Sequence, residues 1–234
     1  MDALPYADLE PERILDAIES LGLRADGRVL ALNSYENRVF RIGLEDGPPR
    51  VAKFYRPGRW SDDAILEEHA FAAELRAADL SVVAPLAFAG ATLHHHGGHR
   101  FALFPLQGGH APETGDKEVL RHLGRVIGRM HAVGARTGFV HRGAIGIASH
   151  GEGAVDFLLD GEWLPPDLED NFAALADALL DACDAAWERA GAFATLRLHG
   201  DCHPGNILWR NDQAHFVDLD DALAGPAVQD LWML

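Results

Sequence analysis

A segment rich in proline and glycine, Pro105 to Gly115, divides the sequence into two parts of different character. Before it, short runs of β-branched and aromatic residues are separated by turn-forming residues, which is typical of antiparallel strands. After it, apolar residues recur mainly at the three- and four-residue spacing of amphipathic helices. The two patterns predict a small antiparallel sheet in the first part and a mainly helical second part, which together make an α+β chain.

The expected elements follow from these patterns and from the residues that punctuate them. In chain order they are a helix over Pro11–Leu21, strands over Val29–Leu32, Arg38–Leu44 and Arg50–Tyr55, a helix from Ser61 or Asp62 through Leu75, strands over Val82–Ala87, Ala91–His94 and Arg100–Phe104, helices over Val119–Met130 and Phe172–Trp187, a strand over Thr195–Leu198, and a hairpin of Ile207–Trp209 with His215–Leu219. Cys183 lies on the apolar side of the last helix, so we expect it in the core.

The charge of the chain makes nucleic acid and anionic membrane surfaces poor partners. Its 234 residues include 36 acidic side chains against 20 lysines and arginines, a formal net charge of −16, and such a chain is repelled by phosphate backbones and acidic lipid. Two cysteines cannot build a disulfide framework. The acidic segment Met1–Glu12 lacks the apolar run of a secretory signal. These features predict a soluble, cytoplasmic protein.

The most informative stretch combines two carboxylates and an amide around the predicted hairpin. Asp201 follows a short strand in a loop of glycine and proline, Asn206 begins the next strand, and Asp218 lies on the returning strand. A tight hairpin brings Asn206 and Asp218 side by side, where they offer the oxygen ligands that suit Mg²⁺. Asp201, at the apex of the loop, is expected within reach of a hydroxyl group whose proton it can accept.

This pattern resembles the catalytic loop of protein-kinase-like phosphotransferases, in which His, Asp and Asn have the spacing of His199, Asp201 and Asn206. The run His203-Pro204-Gly205-Asn206 is similar to the aminoglycoside-phosphotransferase branch of these enzymes. Asp218 then occupies the position of the aspartate in the kinase D-F-G motif.

The resemblance implies a two-lobed α+β fold, with a small lobe at residues 1–105 and a large lobe at residues 106–234. Lys53 lies in a strand-like run and matches the family lysine that contacts the α- and β-phosphates of ATP. Its expected partner is a glutamate on the following helix. We favour Glu68, because apolar residues three and seven positions later share its side of the helix, and keep Glu67 as the alternative. Asp230 resembles the later family aspartate that braces the catalytic loop.

Several further segments are similar to the bacterial stress response kinase A family, whose members are cytoplasmic Ser/Thr protein kinases with an aminoglycoside-phosphotransferase-like fold. These segments are Asn33–Arg38, Lys53–Pro57, Leu198–Trp209 and Gly225–Leu234. The resemblance implies a kinase that transfers the γ-phosphoryl group of Mg-ATP to a Ser/Thr hydroxyl of a protein during stress response. We expect the chain to be a monomer. Members of that family continue beyond the position of Leu234 as further helices, so we expect the large lobe to be incomplete.

The remaining nucleotide contacts are predicted in the first part of the chain. The sequence contains neither a G-x-G-x-x-G nor a G-x4-G-K-[ST] motif. The turn that holds Ser34 and Asn37 is instead expected to offer N–H groups and a hydroxyl to the phosphates. The adenine is expected against Phe104 and Leu106, with Phe104 at the back of the pocket. In this scheme Asp201 is the catalytic base, and Asn206 and Asp218 hold Mg²⁺.

Other functions are compatible with parts of the sequence. A small-molecule alcohol is the alternative acceptor, and an inactive kinase fold acting as a binding module is a further possibility. The residues around Asp201 and His203 also resemble a two-metal phosphoesterase site, but no Asp-x-His precedes Asp201. The cluster of His94–His96 with His99 could bind a transition metal.

Overall fold

The computed structural model describes residues 5–161 and 163–234, and in these ranges a lobe built on one sheet precedes a mostly helical lobe. The first lobe contains α1 (Pro11–Glu19), β1 (Ala25–Leu32), β2 (Arg38–Leu44), β3 (Arg50–Phe54), α2 (Asp62–Ala77), β4 (His94–His96) and β5 (His99–Pro105). Its strands form one antiparallel sheet in the order β1-β2-β3-β5-β4. The predicted α+β architecture is confirmed.

The alternation of side chains along β3 separates the core of this lobe from a cleft. Ala52 and Phe54 are buried in an apolar cluster that includes Ile14 of α1. Val51 and Lys53 point to the opposite face, because successive residues of a strand alternate, and both line the cleft. A shift of the strand by one residue would bury the lysine in the wrong face, so the apolar cluster fixes its position.

Helix α2 begins where the hydroxyl of Ser61 accepts a hydrogen bond from the backbone N–H of Ala64 at 3.1 Å. This N-cap satisfies one of the free N–H groups at the start of a helix. Ile65, Glu68 and Leu75 are among its buried residues, and they lie three and seven residues apart, on one side of the helix. The buried side of α2 therefore brings an apolar stripe into the core and Glu68 toward the sheet.

The second lobe carries fewer strands and longer helices. Its elements are α3 (Lys117–Gly134), a π-helical turn (Ala148–Glu152), α4 (Gly153–Asp160), α5 (Glu169–Ala190), β6 (Leu196–Arg197), a 3-10 turn (Pro204–Asn206), β7 (Ile207–Arg210), β8 (Gln213–Phe216), β9 (Ala224–Gly225) and a 3-10 turn (Ala227–Asp230). Strands β7 and β8 form the predicted antiparallel hairpin, and β6 pairs with β9.

One apolar cluster joins the two lobes. It contains Phe71 and Leu75 of α2, Leu123 and Ile127 of α3, and Phe216 of β8, all of which are at most 1% exposed. Because α2 contributes to this cluster and also faces the sheet, it links the small lobe to the hairpin of the large lobe. The elements that carry Lys53 and Asp218 are thus held by a common core.

Two of the predicted strands in the first part differ from the structure. Val82–Ala87 forms only an isolated bridge, from Val82 to Phe216. Pro85 lies in this segment, and proline cannot donate a hydrogen bond to a neighbouring strand. The segment instead crosses between two strands, since the N–H of Val83 bonds to Phe216 and the N–H of Leu86 to Leu103. The strand predicted at Ala91–His94 is β4, His94–His96.

The prediction that Cys183 is a core residue is wrong. Cys183 is exposed, although α5 has the helical spacing that the sequence predicts. Ala176 is the buried residue of this helix, whereas Leu175 and Leu179 are 70% and 61% exposed. Periodicity identified the helix, but it does not determine which partner covers the apolar side.

None of the helices in the described ranges is long and apolar enough to cross a membrane.

We predict that Phe101→Ala destabilises the chain by about 3 to 5 kcal/mol, since Phe101 is fully buried and stacks on Phe54 with ring centroids 5.4 Å apart. Phe157→Ala is the matched control, because Phe157 is 61% exposed, and it should cost less than about 1 kcal/mol. Urea unfolding followed by circular dichroism measures both. Equal losses for the two variants would contradict the assignment of the small-lobe core.

Candidate active site

Two adjoining cavities lie between the lobes. The first, of about 400 Å³, is a cleft lined by the sheet, the segment Phe104–Gln107, and residues of the large lobe that include Asn206 and Asp218. The second, of about 550 Å³, is lined by Asp201, Asp218 and further polar residues. Asp218 borders both cavities, so the predicted metal ligand lies where they meet.

Lys53 is buried at the floor of the cleft and surrounded by carboxylates. Its Nζ lies 3.0 Å from Oδ1 of Asp218, 2.9 Å from Oδ1 of Asp220 and 3.8 Å from Oε1 of Glu68. Burial by itself lowers the pKa of Lys53, but the charges of Asp218, Glu68 and Asp220 outweigh it and raise the pKa well above its usual value. The surrounding carboxylates therefore favour the charged form of Lys53.

The structure places Glu68, rather than Glu67, beside Lys53. Glu68 is 3% exposed, and burial raises its pKa to about 7 despite the nearby charge of Lys53. Glu67 points away, and its carboxylate accepts hydrogen bonds from the backbone N–H groups of residues 140–142 at 2.5 to 3.0 Å. Adjacent glutamates on one helix thus have different partners.

Arg142 is a central residue of the site that no sequence pattern identifies. Its buried guanidinium donates to the carbonyl oxygens of Ala222 at 2.5 Å and Ala64 at 2.9 Å, and it lies 4.1 Å above the ring of Trp60. These contacts tie the start of α2 to the segment that follows Asp218. A loop arginine is usually solvated, so no local signal in the sequence distinguishes this one.

Asp220 is a second central residue of the site that was not predicted from the sequence. It is almost fully buried between two cations. Besides Lys53, its carboxylate contacts Arg59, at 3.0 Å. Burial raises the pKa of Asp220, but the charges of Lys53 and Arg59 outweigh it and leave the pKa below its usual value. The spacing Asp218-x-Asp220 is the sequence signal that could have identified Asp220, because it places two carboxylates close together after one strand.

The catalytic loop predicted at residues 199–206 is held by Asp230. Its carboxylate accepts hydrogen bonds from the backbone N–H of His199 at 3.1 Å and of Gly200 at 2.9 Å, and it lies 3.0 Å from Nε2 of His131. Burial by itself raises the pKa of Asp230. The hydrogen bonds from His131 and the backbone, together with the charge of His199, outweigh burial and leave the pKa below its usual value. Gly200 has φ +88°, and a Cβ there would lie 2.0 Å from the carbonyl oxygen of Asp221, so the loop requires glycine.

The amide of Asn206 orients the predicted catalytic base. Its Nδ2 donates to the backbone oxygen of Asp201 at 2.9 Å and to Oδ2 of the same residue at 3.0 Å. His203 also approaches, with Nε2 3.5 Å from Oδ2 of Asp201. Because the amide nitrogen of Asn206 is engaged, its oxygen is the atom that can ligate a metal.

Asp218 lies beyond β8 rather than on the strand, with φ +57°, and its side chain is 50% exposed.

The oxygen donors of Asn206 and Asp218 fit Mg²⁺, which is commonly held by one or two protein ligands together with substrate phosphates. In the described ranges, no three His, Cys, Asp or Glu side chains form a complete metal cluster, and this includes the histidines at His94–His96 and His99. The ring of His94 instead packs against Phe88 and Phe101.

The predicted adenine contacts Phe104 and Leu106 line the cleft, whereas Ser34 and Asn37 line the second cavity. The hydroxyl of Ser34 donates to the carbonyl oxygen of Asn37 at 2.8 Å. The side chain of Asn37 is buried, and its Oδ1 accepts from the backbone N–H of Arg56 at 3.0 Å. The Ser34 hydroxyl is thus engaged within the turn, and Asn37 connects the turn to the segment after β3. The contact of both residues with phosphate stays a prediction.

We predict that Asp230→Asn lowers the free energy of unfolding by about 3 kcal/mol at pH 7, because it removes a buried charge that several donors satisfy. Since the pKa of Asp230 is lower in the folded chain, its charge stabilises the fold above the usual aspartate pKa of about 4 and loses that effect as the pH falls below it. Urea unfolding of both proteins between pH 3 and 7 should show the difference shrinking below pH 4. A difference that does not change with pH would contradict this role.

Known proteins match most or all of this chain. Residues 28–234 match the model of the phosphotransferase enzyme family, APH. Stress response kinase A of Escherichia coli (strain K12) is 46% identical over 232 residues, which are 99% of this chain and 70% of that protein. The serine/threonine protein kinase RdoA of Salmonella typhimurium (strain LT2) is 46% identical over 233 residues, which are 100% of this chain and 70% of that protein.

Solved structures share the fold at low sequence identity. Amicoumacin kinase hAmiN in complex with AMP-PNP, Ca²⁺ and Ami has a TM-score of 0.73 and 18% identity, and the match covers 95% of this chain and 68% of that one. Spectinomycin phosphotransferase APH(9)-Ia in complex with ADP and spectinomycin has a TM-score of 0.68 and 12% identity, with 95% and 72% covered. The chain is a kinase that belongs to the phosphotransferase enzyme family and is similar to stress response kinase A.

Proposed function

We propose that this kinase transfers the γ-phosphoryl group of ATP, in the presence of Mg²⁺, to a Ser/Thr hydroxyl of a protein in bacterial stress response. One observation carries the proposal: the Lys53–Asp218 ion pair lies where the cleft meets the cavity that Asp201 lines. A nucleotide in the cleft would direct its terminal phosphate to this junction. An acceptor in the second cavity would meet the phosphate beside the predicted base.

The shape and chemistry of the cleft support a nucleotide. Its walls include apolar side chains of both lobes, such as Val39, Val51 and Leu208, and the segment Phe104–Gln107 forms one edge. An adenine would be buried between these apolar surfaces and could hydrogen-bond to the backbone of that edge. Two of the solved proteins that share this fold are complexes with AMP-PNP or ADP.

The charged residues divide the work that phosphoryl transfer requires, which is chiefly positioning and charge neutralisation. Lys53, kept protonated by three carboxylates, would contact the α- and β-phosphates. Asn206 and Asp218 would hold Mg²⁺, which when bound offsets the charge of the phosphate oxygens. Asp201, oriented by Asn206, would accept the proton of the acceptor hydroxyl as the oxygen attacks phosphorus.

A protein acceptor is proposed because the relatives that share 46% identity over this chain are named stress response kinase A and serine/threonine protein kinase. The net charge of −16 makes nucleic acid a poor acceptor. Incubation of the chain with Mg-ATP labelled at the γ-phosphate and a bacterial lysate tests this choice. Label in protein Ser/Thr residues is expected, and label confined to a low-mass metabolite would support a small-molecule kinase instead.

We predict that Asp201→Asn lowers kcat by about 10²- to 10⁴-fold, because asparagine cannot accept the proton of the acceptor. The Kd for Mg-ATP should change by less than about threefold, since Asp201 lines the acceptor-side cavity. Asp212→Asn is the control, since this residue lies exposed in the β7–β8 turn. Steady-state kinetics and calorimetric titration measure the two quantities. Wild-type turnover of Asp201→Asn would overturn the assignment of the base.

A further inference from the structure

Arg59 is an arginine between β3 and α2 that reaches across the second cavity to the large lobe. Its guanidinium contacts Oδ2 of Asp220 at 3.0 Å, hydrogen-bonds to Oδ1 of Asp221, and lies 3.8 Å from Oε2 of Glu36 in the β1–β2 turn. Its side chain is only 22% exposed. One side chain of the small lobe thus contacts carboxylates on two separate segments.

The contact with Asp220 couples Arg59 to the Lys53 cluster. Asp220 lies between the two cations, 2.9 Å from Nζ of Lys53 and 3.0 Å from Arg59. Without Arg59, the charge of Asp220 would be balanced by Lys53 alone, which would strengthen the pull of Asp220 on Nζ. Lys53 would then be drawn toward Asp220 and away from Asp218 at the junction of the cavities.

Asp221 is the second carboxylate that depends on Arg59. It is 43% exposed at the side chain, and burial raises its pKa, an effect that Arg59 opposes and that Asp220, Asp201 and Asp218 reinforce. Loss of the guanidinium would leave Asp221 without this counter-charge, while the negative charges of Asp220, Asp201 and Asp218 would stay close to it. The segment that carries Asp218 would then move to separate them.

We propose that Arg59 is a positioning residue, which clasps the β1–β2 turn to the segment 217–223 and thereby holds Lys53 and Asp218 in the geometry for phosphoryl transfer. The proposal rests on the proposed function, because it assigns a role within the same site. Within the described ranges, Arg59 lines the second cavity and not the nucleotide cleft. Its loss would shift Lys53 and Asp218 without removing either of them, so it should reduce the transfer step, which depends on exact geometry, more than nucleotide binding.

Arg56 provides a matched control. It lies three residues earlier on the same segment and bonds to the same Glu36, but its side chain is 46% exposed, and it is not among the residues described for either cavity. Arg56→Gln removes one charge and one ion pair near the β1–β2 turn without touching Asp220 or Asp221.

The test compares Arg59→Gln, Arg59→Lys and Arg56→Gln. We expect Arg59→Gln to lower kcat by about 10- to 100-fold, with KM for ATP changed by less than about threefold, and Arg56→Gln to resemble the wild type. Arg59→Lys should be intermediate, because lysine supplies the charge but not the planar fork that binds two carboxylates. Asp221→Asn added to Arg59→Gln should restore part of the loss, since it removes an unbalanced charge.

Hydrogen exchange at the amides of residues 217–223 gives a readout that needs no activity. It should be faster in Arg59→Gln than in Arg56→Gln if the clasp exists. If both variants match in kcat and in exchange, the role of Arg59 is refuted while the proposed function stands. If the wild type transfers no phosphate, the proposed function fails, and exchange alone decides: faster exchange in Arg59→Gln supports the clasp, and equal exchange refutes it.

Discussion

The burial of Lys53 is the constraint on which the rest of the site depends. A buried ammonium is costly unless carboxylates surround it, and here they come from α2 through Glu68 and from the segment after β8 through Asp218 and Asp220. The sheet, the helix and the large-lobe segment must therefore meet at one point. The shared apolar core supplies the cohesion that holds them there.

This meeting point explains why the remaining polar residues are arranged as they are. Asp230 anchors the loop that presents Asp201, and Asn206 then fixes the orientation of the Asp201 carboxylate. Arg142 ties α2 to the segment that follows Asp218. Each contact restrains a group that borders one of the two cavities, and the proposed function would use this arrangement, because catalysis by positioning needs groups that are already held in place.

The sequence predicts the parts of this site that lie on ordered motifs. The spacing of Asp201, Asn206 and Asp218 predicts them as one group, and the stripe on α2 favours Glu68, which lies beside Lys53. Arg142 and the exposure of Cys183 could not be predicted, because both depend on which distant segments pack together. Local patterns specify a helix or a turn, but the partner of a buried arginine or of an apolar helix face is set by tertiary structure.

The most direct test of the account is thermal unfolding of the chain with ATP alone, Mg²⁺ alone and both together, repeated with Lys53→Met. A ligand that binds only the folded chain adds about 2.7 kcal/mol of stability at a hundredfold excess over its Kd. We predict a rise in Tm that requires both ATP and Mg²⁺ and is lost in Lys53→Met, whatever the Tm of that variant without ligand. An equal rise in Lys53→Met, or no rise in the wild type, would contradict a nucleotide site built around the buried lysine.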